Sequence, residues 1–400
     1  MPKAKNIMGT AFSSSWGSLP PFREFILPTP QTYTTLVNIF QYFPVFTLVQ
    51  WIISWHPAGK GSYQSSWLNV PGKLGWFIME IIGPVNLLYT LWKLPPLLNL
   101  ASLPPANKLV AALYVIHYIN RAIVSPLFAA PSMSPMHLSV VLMAVLFNWF
   151  NSACLAGWLV GYHIPVLGYT TDGAAAAAGP SSSTDNPLLL LPSATPYSPA
   201  THFLSSLGMV LFAAGMIGNI YSERTLFRLR REAAQKRDEQ QPAPSNSNAQ
   251  ASSLPPKDNS SSSSSSKNKF SKVYVIPPPT GVFRSILYPH YVFEWLEWLG
   301  FALVGTAVFP GSTGHASAYA LQAESGSGSG PLRLAPWLVP AAWLADQLRV
   351  PLPLPAVVFV VNAVANMLPH ARWGRRWYVE RFGEGAVAGR GAAVPWCSWL

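Results

Sequence analysis

The stretch YPHYVFEWLEWLGFALVG, residues 288–305, decides how the chain is read. From Val292 onward it is apolar enough to begin a membrane helix, yet it carries Glu294 and Glu297, with His290 one turn earlier. At helical spacing the three fall at i, i+4 and i+7, on one face. A single carboxylate there would complement a helix N-terminus. Two carboxylates and an imidazole exceed that need, so this face has polar partners to find elsewhere in the chain.

The composition says what solvent the helix sits in. Half of the 400 residues are hydrophobic and 10% are charged, against about 25% charged in average soluble domains. Seven stretches are long and apolar enough for roughly 30 Å of hydrocarbon. They lie near 33–54, 74–92, 108–129, 138–162, 202–221, 291–309 and 338–368. The last contains VPLPLPAVV (350–358), whose prolines kink or split a helix. The expected fold is an all-α integral membrane protein of about seven transmembrane helices. The formal charge of +11 does not argue for nucleic acid, because the cations cluster in two membrane-flanking segments. Two cysteines, Cys154 and Cys397, build no disulfide framework. No apolar core precedes Pro20, so no cleaved signal peptide is expected.

Low-complexity segments divide the chain. A tail, 1–32, precedes the first four helices, 33–162, expected on the substrate side. A flexible loop, 163–201, contains TTDGAAAAAGPSSSTDNP, and 202–400 forms a second region with helices five to seven. That region is interrupted by a serine-rich stretch, about 232–270, with the composition of a disordered tether. Positions 122–223 contain no Lys or Arg, whereas 224–284 contain eleven, and the tail adds Arg372, Arg375, Arg376, Arg381 and Arg390. Cytoplasmic loops carry the cationic excess. The fifth-to-sixth connection and the C-terminus are therefore expected in the cytoplasm, and the 163–201 loop in the lumen.

Ionisable groups inside membrane helices are costly and point to function. Glu80 is the only acid in WFIMEIIGP (76–84). HYINR (117–121) places Tyr118 and Arg121 on a helix that also carries Tyr114, with His117 and Arg121 on one face. GNIYSERTLFRLRR (218–231) puts Asn219, Glu223 and Arg230 on one face, and His290, Glu294 and Glu297 form the fourth group. Asn148 and Asn151 are the kind of residue that often glues membrane helices together. Plainer readings exist for each: a snorkelling carboxylate, an arginine anchor, packed tyrosines. Under the expected topology, however, most of these groups fall toward the cytoplasm, and a cavity open to that side accounts for them together.

Arginines near the mouth of such a cavity suit a phosphate-bearing cofactor. Carboxylates and amides suit the hydroxyls of ribose and the carboxamide of nicotinamide. The chain has no GxGxxG after a strand and no P-loop. HExxH, CxxC or a histidine cluster for a metal, and GxSxG for a serine hydrolase, are also lacking.

Five motifs in order carry a resemblance. YVIPPPTGVFRSILYPHYVFEWLEWLGFAL (274–303) resembles the C-terminal signature of the steroid 5-alpha-reductase family, the 3-oxo-5-alpha-steroid 4-dehydrogenases. RRWYVERFGEGAVAGRGAAVPW (375–396), GNIYSERTLFRLRR, HYINR and the acid of WFIMEIIGP match too. On these motifs the chain is identified as a fungal-like member of that family. The resemblance implies a seven-helix bundle in the endoplasmic reticulum membrane, enclosing a cytosol-facing NADPH cavity. It implies reduction of a carbon–carbon double bond conjugated to a carbonyl, in a lipophilic substrate met within membrane lipid. It assigns Glu80 and Tyr118 to the substrate carbonyl oxygen. It assigns Arg121, Asn219, Glu223, Arg230, His290, Glu294, Glu297, Tyr378 and Arg390 to NADPH, and it calls for no metal. A glutamic acid donates a hydrogen bond only when protonated, and the apolar run around Glu80 suits that form.

Departures from the pattern bear on the substrate. Met79 stands where Gln is usual and Ile81–Ile82 where Leu-Pro is usual; His290 replaces Asn, Arg375 a His, and Gly391 a Lys. A 3-oxo-4-ene steroid or sterol is the simplest substrate. An enoyl-CoA or a polyprenol is the alternative within the superfamily, and a transporter or non-catalytic scaffold is the alternative outside it.

Overall fold

A computed structural model describes residues 21–53, 66–162, 164, 166, 198–240, 269–270, 273–308 and 332–399. Most of the expected 163–201 loop and most of the serine-rich stretch lie outside the described residues. Within them the chain is predominantly helical, with almost no sheet. α1 (Pro30–Phe40) and α2 (Phe43–Ile52) make a first hydrophobic pair. α3 (Gly72–Leu97), α4 (Pro105–Tyr118), α5 (Leu138–Leu159) and α6 (Pro199–Glu239) follow. α7 (Pro289–Gly305), α8 (Val339–Leu348), α9 (Leu354–Phe382) and a short α10 (Glu384–Val387) complete the order. The two-residue strands β1 (Asn69–Val70) and β2 (Met136–His137) pair antiparallel outside the bundle helices.

Local sequence explains the boundaries. Proline opens α1, α4, α6 and α7, where its missing N–H is no loss. Thr29 and Ser198 cap α1 and α6 by accepting the N–H groups of Thr32 and Thr201 at 3.3 and 3.1 Å. After Tyr118 the α4 ladder widens into a π-helical stretch, Ile119–Ala129, which contains Pro126. Such stretches are rare and frequent at functional sites. Here one carries Arg121 and Ser125.

Among the described residues six helical segments are long and apolar enough to cross a membrane, the first being Pro30–Ile52. α7, with 17 residues, spans about 26 Å at 1.5 Å per residue, just short of a full hydrocarbon layer. The expected seventh span, 338–368, is split at its prolines as expected, and the bounds of the crossing are corrected. Arg349 adopts a left-handed φ of 53°, Pro351 and Pro353 follow it, and the crossing helix is α9, from Leu354. The expected tether at 232–270 is also corrected at its start. α6 runs through Glu239, held to neighbouring loops by Arg230, Arg231 and Arg237.

The core that positions the site lies where α3, α4, α5, α7 and α9 meet. Trp298, Tyr114, Phe301 and Leu87 are fully buried there, packed with Phe212 and Phe359. α6 and α7 approach more closely than side chains normally permit. A Cβ on Gly208 would stand 2.6 Å from the Gly300 carbonyl oxygen, and one on Gly215 would stand 2.7 Å from the Glu297 Cα. Small residues permit such contact between membrane helices, where packing rather than the hydrophobic effect drives association.

Candidate active site

Arg121 organises the site. The π-helical turn places its guanidinium against three carboxylates from three other helices. Its Nε lies 3.3 Å from Glu80 Oε1 of α3, and its Nη1 lies 3.8 Å from Glu223 of α6 and 3.5 Å from Glu294 of α7. The guanidinium also lies 4.7 Å from the Trp76 ring centroid, and Trp76 donates to the Arg121 carbonyl at 3.1 Å.

Each carboxylate has a neutral donor as well. Asn148 Nδ2 lies 3.3 Å from Glu80 Oε2, Ser125 donates to Glu223 at 2.6 Å, and Asn219 donates to Glu294 at 3.4 Å. Glu80 is thus not isolated among apolar groups, as its sequence neighbours suggest. It faces a cation and an amide reached across helices.

Asn148 connects the two residues expected at the substrate carbonyl. Its Nδ2 reaches the Met79 carbonyl at 2.7 Å as well as Glu80, and its Oδ1 accepts the Tyr118 hydroxyl at 2.8 Å. Tyr114 packs tilted beside Tyr118 with ring centroids 4.6 Å apart, and its hydroxyl accepts from Asn151 at 3.3 Å.

Glu297 turns to a different partner. Fully buried, it meets His117 Nδ1 at 2.8 Å, while the imidazole packs tilted against Trp298 with ring centroids 4.4 Å apart. His117 and Arg121 therefore serve different carboxylates although their spacing suggests a common face; the wider π-helical turn separates them. His290 packs against Tyr288 and Tyr291, at ring distances of 5.7 and 4.6 Å.

The structure thus joins Glu80, Arg121, Asn219, Glu223 and Glu294 directly. It joins Tyr118 through Asn148, and it sets Glu297 with His117 alongside. It does not bring the remaining expected residues into this cluster. Arg230 donates to the carbonyls of Ser132 and Phe270, at 2.9 and 3.1 Å. Tyr378 donates to the Val275 carbonyl at 3.3 Å. Arg390 is buried and donates to the carbonyls of Val387, Pro277, Phe283 and Ala386. Burial lowers its pKa from the ordinary guanidinium value, with the Tyr378 phenol acting the other way. Together with the Leu287–Gly391 and Tyr288–Ala392 backbone bonds, at 3.0 Å each, Arg390 fastens the tail to the segment that launches α7. Sequence reasoning missed Ser125 and the bridging role of Asn148. The only local signal for Ser125 is its place four residues after Arg121.

The donor set fits one end of a nicotinamide dinucleotide. Glu223, Glu294 and Asn219 offer acceptors and amide groups of the kind ribose and carboxamide need. Glu297 Oε2 and Trp295 Nε1 are buried without a hydrogen-bond partner among the described residues, and such atoms are normally satisfied. The fit does not extend to phosphate through Arg230 and Arg390, whose guanidinium groups already serve backbone carbonyls.

Fold and cluster define a class, a multi-pass helical membrane protein with a buried, charged, side-chain-built site. Comparison with known proteins narrows it. Residues 261–313 match the family model described as 3-oxo-5-alpha-steroid 4-dehydrogenase. The chain is 23% identical over 372 residues to the steroid 5-alpha-reductase DET2 of Arabidopsis thaliana, covering 91% of this chain and 95% of that one. It is 26% identical over 175 residues to the 3-oxo-5-alpha-steroid 4-dehydrogenase 1 of Rattus norvegicus, covering 44% and 54%. An uncharacterized protein of Schizosaccharomyces pombe is 28% identical over 257 residues, covering 61% and 72%. Together these matches support a fungal-like member of the steroid 5-alpha-reductase family, the resemblance carried by the sequence motifs. They support an oxidoreductase acting on CH–CH groups.

Proposed function

We propose that the protein reduces a carbon–carbon double bond conjugated to a carbonyl, using NADPH, in a lipophilic substrate of the 3-oxo-4-ene steroid or sterol class. The observation that carries this reading is the convergence of Glu80, Glu223 and Glu294 on Arg121, with Asn148 linking Glu80 to Tyr118. NADPH supplies the hydride when bound. Glu223, Glu294 and Asn219 would hold its ribose and carboxamide, with Glu297 and His290 on the same helix, α7.

As the β carbon is reduced, negative charge develops on the carbonyl oxygen, and donors already in place meet it most effectively. Glu80 and Tyr118 are those donors. Tyr118 has its hydroxyl directed by Asn148, an acceptor it would exchange for the substrate oxygen. Glu80 donates only in its acid form. One guanidinium facing three carboxylates leaves two excess negative charges if all ionise, and a proton on Glu80 removes one of them. The protein sits in the endoplasmic reticulum membrane with its C-terminus in the cytoplasm, the side on which positions 224–284 carry eleven cations.

The test is a product assay on microsomes containing the full chain and NADPH. An enone steroid, a trans-2-enoyl-CoA and a polyprenol are offered in parallel. Saturation of the steroid 4,5 bond is expected. Conversion of only the enoyl-CoA or the polyprenol moves the protein to another branch, and no conversion in any arm rejects the reductase reading.

A further inference from the structure

α9 carries a second charged site on the side turned away from the Arg121 cluster. Ala371 and Gly374 face α7 and the turn before it. Ala371 packs with Tyr288, Tyr291 and Trp295, and a Cβ on Gly374 would meet Tyr288 Cζ at 2.5 Å. Arg372 and Arg376, four residues apart, project from roughly the opposite side of the helix. With Arg375, Trp373, Gln50 and Trp399 they line a cavity of about 230 Å³ shared by the ends of α9 and α2 and by the tail.

The cavity is electropositive. Three guanidinium groups line it against one carboxylate, Glu384, which lies 3.6 Å from Arg375. Arg376 is matched by Glu380 at 2.8 Å. Arg372 donates through Nε to the Trp399 carbonyl at 3.2 Å, and its guanidinium carbon lies 5.6 Å from the Trp51 ring centroid. Among the described residues no carboxylate pairs with Arg372.

The site also lies at a defined depth. The apolar part of α9 ends at Leu368, and Arg372 follows one turn later. α2 ends beside it at Ile52, with Val49 53% and Ile52 83% exposed. Arginine pairs bidentately with phosphate, tryptophan settles where hydrocarbon meets headgroups, and basic pockets between spans take anionic headgroups.

We propose that this cavity binds the phosphate of an anionic lipid, with the acyl chains lying along the exposed face of α2. The inference stands apart from the reductase reading, since it needs no turnover. The full chain is purified from mixed micelles of phosphatidylcholine and phosphatidic acid, and the retained phosphatidic acid is counted by native mass spectrometry. The same count is made for Arg372→Gln and Arg376→Gln, singly and together, and for Arg228→Gln as a control on an exposed arginine elsewhere. Each cavity substitution is expected to weaken retention by about fivefold, and the control not at all. Should the double variant fail to fold, the two single variants decide. Equal retention by wild type and both single variants overturns the proposal. Displacement of the lipid by inorganic phosphate or NADPH assigns the cavity to a soluble phosphate and overturns the lipid as its source.

Discussion

Replacing Arg121 by Met removes the one cation shared by Glu80, Glu223 and Glu294 while keeping most of the side-chain bulk. Breaking a buried ion pair by deleting one partner costs about 3–5 kcal/mol, because the other charge is left uncompensated. Two ionised carboxylates, Glu223 and Glu294, would be left here beside the acid form of Glu80, which argues for the upper end. Each keeps a neutral donor, however: Asn148 for Glu80, Ser125 for Glu223 and Asn219 for Glu294. A hydrogen bond to a charged group contributes about 1.5–3 kcal/mol, so these donors hold the expected loss near 3 kcal/mol. The assay is unfolding of the purified full chain in detergent, read as a shift in midpoint against Arg228→Met, whose exposed pair with Glu232 at 3.7 Å contributes at most about 1 kcal/mol. Adding Glu294→Gln to Arg121→Met removes one uncompensated charge and should recover part of the loss. Wild-type stability in Arg121→Met would refute the reasoning. So would a double variant less stable than Arg121→Met alone, because the cluster would then not be held by charge.

Glu80→Gln should lower single-turnover reduction by about a hundredfold, the scale of losing an oxyanion donor, with NADPH affinity in the same preparation nearly unchanged. Tyr118→Phe should act in the same direction less severely, and the pair should be non-additive, since both serve one oxygen. Glu294→Ala should raise the NADPH dissociation constant tenfold or more, a loss on the order of 1.5–3 kcal/mol for a charged hydrogen bond, measurable by fluorescence titration in detergent. Gly215→Ala should destabilise the protein by about 1–3 kcal/mol through overpacking, because its Cβ would press on the α7 backbone at Glu297; a thermal midpoint equal to wild type would contradict the close approach of α6 and α7.

Much of the site was legible in order but not in contact. Glu80, Arg121, Asn219, Glu223 and Glu294 stand out in sequence because a charge or amide in an apolar run is expensive and has to be compensated. Which group compensates which was hidden, because the partners lie on separate helices, 41 residues apart for Glu80 and Arg121 and 173 for Arg121 and Glu294. Asn148 reads equally well as helix glue, and only its position between Met79, Glu80 and Tyr118 gives it a specific task. Arg390 matches a cofactor contact by motif, yet the fold surrounds it with four backbone carbonyls.

The sequence by itself determined the solvent, the class of fold and the identity of the costly residues. Long apolar runs can satisfy their backbone in lipid only as helices, and composition alone reveals them. The tertiary structure decided everything that depends on turning one helix against another. The π-helical turn after Tyr118 separates the partners of His117 from those of Arg121, and the glycine contacts bring α6 within reach of α7. The broken 338–368 segment hands the last crossing to α9. Helical phase and interhelical distance are collective quantities, set by packing between residues far apart in the chain, and no single stretch encodes them.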